Sequence, residues 1–198
     1  MARRPGESRP PDRAATEAAL QSAALRLLER NGVLAGLNLR EVADEAGVNR
    51  GLVYHYFGSR RDLLRAALGS DVRERMRDLK LGLPLRFRER YTRFVETMLR
   101  HRRAVVLSAL LVLDGDKGVR MDPDRDNRRA RFRRDVEVGD LDPGTDTEAL
   151  YVAIASMAYG YAIFRTRLAE ELEIGLDELD DRLVRMADRL IAGAERST

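Results

Sequence analysis

The sequence contains no cysteine, which excludes disulfides and thiolate metal sites. Its only two histidines are His55 and His101. A zinc site would need both of them plus carboxylates, so no metal and no cofactor is expected. Long hydrophobic runs are missing as well. The most apolar stretch, Ala104–Leu113 with Ser108 inside it, has about half the length a bilayer-spanning helix needs. Met1–Arg13 is polar and rich in Arg and Pro, without the apolar centre of a signal peptide. The expectation is a cytoplasmic protein with no membrane partner. There is no Gly-rich phosphate loop and no evident nucleophile–base pair, which argues against an enzyme. Strand-like alternation and internal repeats are also lacking, so the chain reads as all-α.

What is present is a globular composition, with 44% apolar and 35% charged residues, enough to build a core. The formal net charge is +3, and its placement is uneven. Residues 1–65 carry 11 arginines against 8 carboxylates, whereas residues 66–198 carry 25 charges of each sign. The whole cationic excess therefore sits in the N-terminal third, where it would favour phosphates.

Apolar spacing predicts about nine helices. Leu20, Ala23, Ala24, Leu27 and Leu28 mark one face of a first helix, stopped by Asn31-Gly32. Asn38 caps a second helix in capping-box spacing with Glu41, with Leu39, Val42, Ala43 and Ala46 as its buried stripe and Gly47 as its stop. Asn49 caps a third, which runs to about Tyr56. Ser59 and Asp62 open a long fourth helix through Leu64, Leu68, Val72, Met76 and Leu79, broken by Gly82 and Pro84. A fifth carries Phe87, Tyr91, Phe94, Val95, Met98 and Leu99, and a sixth, about 103–113, is apolar nearly all round and is expected to be buried among the others. The polar stretch 114–144 has room for one helix. Thr145 with Glu148 caps a helix bearing Leu150, Ile154, Met157, Tyr161, Phe164 and Leu168. The last helix, about 177–192, repeats that seam with Leu179, Leu183, Met186 and Leu190. Two such seams suit shallow packing in a four-helix bundle.

The most informative stretch is 38–57. Two short helices flank the tight turn Ala46-Gly47-Val48-Asn49, with Val48, Val53 and Phe57 turned to the core. Arg50, Gly51, Leu52, Tyr54 and His55 are left on the outer face of the second helix, the arrangement of a helix-turn-helix reader. Here the sequence resembles the TetR (tetracycline-repressor-like) family. The resemblance runs from about Ala14 to Ser70 and rests on Leu39-Arg40-Glu41-Val42-Ala43, Ala46-Gly47-Val48, Leu52-Val53-Tyr54-His55-Tyr56-Phe57 and Ser59-Arg60-Arg61-Asp62-Leu63-Leu64. It implies an N-terminal three-helix DNA-binding domain joined by a long helix to a C-terminal helical bundle. It also implies a homodimeric repressor that occupies a palindromic operator in double-stranded DNA and is released by a small-molecule effector. Position by position, Tyr54 and His55 match phosphate contacts. Arg50, Gly51 and Leu52 match base-facing positions, and Arg40 matches one that reaches a base or a phosphate. Arg60 keeps the charge where the family usually has Lys, at a helix N-terminus that itself favours phosphate. Asn49 completes the DNA-facing set, and Asn38 replaces the usual Thr or Ser cap. Leu52 is read either as a thymine-methyl reader or as a core residue.

The expected organisation is a basic arm over 1–13, a DNA-binding domain over 14–74, and a ligand-binding and dimerisation domain over 75–198. Arg3, Arg4, Arg9 and Arg13 either follow the minor groove or form a solvated tail. Tyr91, Phe94, Met98, Leu110, Phe132, Tyr151, Met157 and Tyr159 are the candidate lining of a pocket for a largely apolar small-molecule effector. Arg125–Arg134 interleaves arginine with aspartate and reads as solvated and self-paired. Ile154, Gly160, Tyr161, Phe164, Leu179, Leu183, Met186 and Leu190 are the candidate dimer surface. A face of small residues, Ala149, Ala153, Ser156 and Gly160, competes with the apolar seam for that role. The rival functional classes are a ligand-independent architectural DNA-binding protein and an enzyme seated in the C-terminal domain.

Overall fold

The computed structural model describes residues 12–31, 37–78 and 85–195. Four of the expected features lie outside them: most of the N-terminal arm, Gly32, Leu79 and the Gly82/Pro84 break. Every regular element among the described residues is a helix. The chain separates into two compact units, 1–70 and 71–198; the expected boundary lies about one helical turn further along.

The first unit contains α1 (Arg13–Asn31), α2 (Leu39–Ala46), α3 (Arg50–Phe57) and the start of α4 (Arg60–Asp78). Leu20, Ala23, Ala24 and Leu27 of α1 are buried, as are Val42 and Ala43 of α2 and Val53 of α3. Leu63, Leu64, Ala67 and Leu68 of α4 complete this core. The alanines allow close approach of short helices that could not persist alone. Val48 and Phe57, expected inside, are half-buried. Ser59 opens α4 as expected: its Oγ accepts from Asp62 N at 3.1 Å and donates to Asp62 Oδ2 at 2.6 Å.

The second unit contains α5 (Phe87–Arg100), α6 (Arg102–Leu113), α7 (Arg125–Glu137), α8 (Thr147–Glu171) and α9 (Leu176–Ala192). Its core sets Phe87, Tyr91, Val95 and Met98 of α5 against Phe132 of α7, Ile154, Ala158 and Tyr161 of α8, and Ala187 and Ile191 of α9. Arg86 at the start of α5 supplies no capping bond. Asp140 does so from a distance, accepting from Phe87 N at 3.2 Å while pairing with Arg86. Burial alone would raise the Asp140 carboxyl, but these donors hold it below the ordinary carboxylate value.

Three expectations about this unit need correction. Asp146, not Thr145, caps α8, its Oδ1 accepting from Ala149 N at 3.0 Å. The sixth helix is not buried all round, since Val112 and Leu113 at its end are exposed. The Arg/Asp-rich segment is not simply solvated either. Arg128, Phe132 and Asp135 form a buried stripe along α7 at i, i+4 and i+7, so two of its charges lie in the interior.

Candidate functional site

The turn between α2 and α3 is built from three side-chain choices. Gly47 ends α2 with φ 68°, a left-handed conformation that costs any residue with a Cβ roughly 1–2 kcal/mol. Val48 N then donates to Ala43 O at 3.0 Å, closing the helix end as a left-handed cap requires. Asn49 starts α3, its Oδ1 accepting from Gly51 N at 2.8 Å. A Cβ on Gly51 would sit 3.3 Å from that same oxygen. Glycine there serves the cap, a reason independent of any base it might face.

This turn leaves Asn49, Arg50, Gly51, Tyr54 and His55 exposed along α3, and Arg40 and Arg60 exposed on the flanking helices. Leu52 is half-buried, which leaves both of its readings open. Tyr54 keeps more than half its surface exposed, at 56%, although an aromatic ring normally seeks cover. The carboxylates of α2 are mostly engaged. Glu45 takes Arg26 at 3.1 Å and Arg30 at 3.2 Å, bracing α2 against α1. Asp44 takes Arg50 through two bonds, 3.2 and 2.9 Å, and is held below the ordinary carboxylate range chiefly by that hydrogen bond. A phosphate or base would therefore meet an Arg50 already oriented by its neighbour.

The second unit holds a cavity of about 80 Å³. Of the residues expected there, Tyr91, Phe94, Met98, Tyr151 and Tyr159 line it, with Val72 of α4 and Val105 of α6. Leu110, Phe132 and Met157 do not. Phe132 instead stacks on Tyr91 at 5.4 Å and 28° in the core behind the wall. Charged residues share the wall: Arg90, Arg120, Asp122, Asp124, Arg128 and Arg131. Sequence reading misses Arg128 and Arg131 because charge along a polar helix such as α7 reads as a mark of solvent. The i, i+4, i+7 spacing of Arg128, Phe132 and Asp135 was the available signal.

The candidate dimer surface divides. Ile154 and Tyr161 are buried in their own core and are not free to meet a partner, whereas Leu179 and Leu183 pack against that core and stay half-buried. The helical period explains the split. Past Ile154 the inner face continues through Ala158, Tyr161, Ala162, Arg165 and Ala169, which turns Phe164 and Leu168 outward. Phe164, Met186 and Leu190 are exposed at 60%, 51% and 58%. Ala149, Ala153 and Ser156 are exposed beside them, and a Cβ on half-buried Gly160 would meet nothing within 4 Å.

A family model described as bacterial regulatory proteins, tetR family, matches residues 20–67, which lie within the first unit and include the whole α2–turn–α3 element. Through its N-terminal unit, the chain is similar to the tetR family. The HTH-type transcriptional regulator BetI of Agrobacterium fabrum is 42% identical over 65 residues, 33% of this chain and 31% of that protein. The chain thus matches about a third of that relative's length. A TetR-like transcriptional regulator from Rhodococcus sp. RHA1 shares the fold over 93% of this chain and 100% of its own, with a TM-score of 0.64 and 23% identity. A gamma-butyrolactone receptor (ArpA like protein) does so over 91% and 98%, with a TM-score of 0.59 and 22% identity. The likeness to these solved structures is one of fold across both units; the family model matches within the first.

Proposed function

We propose that this chain is a tetR-family transcriptional regulator that binds a palindromic operator as a two-fold dimer and leaves it when a small molecule enters the second unit. The observation that carries the reading is the exposed face of α3, presented by a doubly capped turn and flanked by Arg40 and Arg60. On this reading Tyr54, His55 and Arg60 hold phosphates, and Arg50, Gly51 and Leu52 meet base edges. One such helix reads too few base pairs to stand out among ~10⁶ competing sites, so two copies are needed. The second copy docks on Phe164, Met186, Leu190 and the small residues of α8, the apolar surface its own fold leaves uncovered. The effector occupies the cavity, and α4 carries its influence, since one continuous helix bears Arg60 at one end and Val72 on the cavity wall. A small-molecule receptor among the proteins that share the fold agrees with this assignment. The mode is repression.

The readout is tested by titrating operator against Arg50→Ala and Asp44→Asn at several salt concentrations. Arg50→Ala is expected to cost roughly 1–3 kcal/mol and to relax preference at one base position. Asp44→Asn, which releases Arg50 and removes a like charge from the DNA, is expected to tighten binding to every duplex. Uniform weakening by Arg50→Ala, with unchanged preference, would remove that residue from the base-reading set.

A further inference from the structure

Resting on the reading of the cavity as the effector site, we infer that its occupant is an uncharged, largely aromatic molecule presenting a carbonyl-type oxygen to Arg128. The body follows from the walls. Phe94 lies 6.3 Å from both Tyr151 and Tyr159 and 6.2 Å from Tyr91, all in tilted contact, and Met98 adds a polarizable floor. Such a surface takes a flat ring edge-on or face-on.

The oxygen follows from donors left without acceptors. The Arg128 side chain is only 6% exposed. Its Nε donates to Asp122 at 2.8 Å and its Nη2 to Glu148 at 2.8 Å, while Nη1 is buried with no partner. Its guanidinium carbon stands 4.0 Å from the centre of the Tyr151 ring, which fixes its plane. Arg90 has less need of an acceptor: Nη1 donates to Leu85 O and Nη2 to Asp135, and its unpartnered Nε is matched by the unpartnered Oδ1 of the same Asp135. A buried N–H group such as Arg128 Nη1 is rare and calls for an acceptor that is not in the protein.

The absence of charge on that acceptor follows from pairing. The charges of the covered arginines are answered: Arg128 has Asp122 and Glu148, Arg131 has Asp124, and Arg90 has Asp135, whereas Arg120 is exposed to solvent. A ligand carboxylate would bring an uncompensated charge into a desolvated wall, whereas a ketone, ester or amide oxygen satisfies the donors without that penalty. Entry requires the segment 120–124 to lift. It is pinned by Tyr159 Oη donating to Met121 O at 3.0 Å and by the two arginine–aspartate pairs. The present 80 Å³ falls short of the ~150 Å³ that holds a benzene ring.

The test uses the full-length protein with ¹³C-methyl methionine and three probes of similar size: acetophenone, benzoate and isopropylbenzene. Acetophenone is expected to shift the Met98 and Met121 methyl resonances and to bind at least ten-fold more tightly than either of the others. Arg128→Lys keeps a cation for Asp122 and Glu148 but removes Nη1. It is expected to bring acetophenone down to the affinity of isopropylbenzene, leaving the latter unchanged. Tightest binding by benzoate would overturn the uncharged assignment, and equal binding of acetophenone and isopropylbenzene would overturn the role of the donor. Should the variant fail to fold, the ranking on the wild-type chain decides alone. If none of the three moves Met98, the effector-cavity reading itself is overturned, an outcome distinct from a wrong ranking.

Discussion

At the scale of single residues, charge in this chain acts by where it is held. Asp188 of α9 accepts from Arg88 Nε at 2.9 Å and from Thr92 Oγ1 at 3.0 Å, tying the last helix to α5. The hydrogen bond from Arg88, above all, pulls its carboxyl from 3.8 to about 2. Because the folded value lies below the unfolded one, the stabilisation is complete above pH 3.8 and disappears as pH falls through 2. Urea midpoints of wild type and Asp188→Asn should therefore differ at pH 7 and converge near pH 2. A constant gap across that range would show that the tie contributes nothing through ionisation. Asp135 moves the other way. Burial raises its carboxyl, and Arg90 only partly offsets this, so its contribution is greatest in acid and is lost as pH rises through the raised value. The exposed position of Tyr54 was legible from sequence because its neighbours Val53 and Phe57 carry the apolar spacing of the inner face of a capped short helix. Arg128 was not, because a charged residue on a polar helix looks solvated until its neighbours in space are known.

At the scale of elements, local chemistry decided the boundaries. Asn38, Gly47, Asn49 and Ser59 each stand where a cap was expected. Such signals need only a few consecutive residues, which is why the helix-turn-helix could be read closely. Gly47 offers a clean measure of that element. A methyl group there meets nothing within 4 Å, so Gly47→Ala carries backbone strain without a steric clash. The expected loss is about 1 kcal/mol of stability, with Gly47→Asn losing less. Thermal or urea unfolding checks it, and a loss of 3 kcal/mol or more would mean that the turn carries packing the open space does not suggest. Long seams were harder to read. The alternation of α8 in steps of 4 and 3 drifts around the helix, so one apolar series served the core at Ile154 and Tyr161 and faced outward at Phe164 and Leu168. Sequence alone cannot fix where that crossover falls, because the answer depends on the angle at which α5 and α9 meet it. For α5 the closing contact comes from Asp140, 53 positions away, which no local pattern reveals.

At the scale of the whole molecule, the proposed function needs the second unit to take both a ligand and a second copy. No helix among the described residues is long and apolar enough to cross a membrane. The exposed apolar residues of α8 and α9 form a surface of the kind at which proteins meet partners. Phe164→Glu and Leu190→Glu should turn a dimer into a folded monomer with unchanged helical circular dichroism. Ile154→Glu should unfold the second unit instead, because Ile154 is 5% exposed in its own core. Sedimentation at micromolar concentration separates the two effects, and dimers that survive both surface charges would move the interface elsewhere. The central claim, reading of a two-fold operator by paired α3 helices, is most directly tested by selecting bound duplexes from a random-sequence pool with the full-length protein at physiological salt. The account predicts that the enriched sequences converge on an inverted repeat, with half-site centres about one helical turn apart or slightly more. Enrichment of a single unpaired half-site, or none beyond the starting pool, would contradict it.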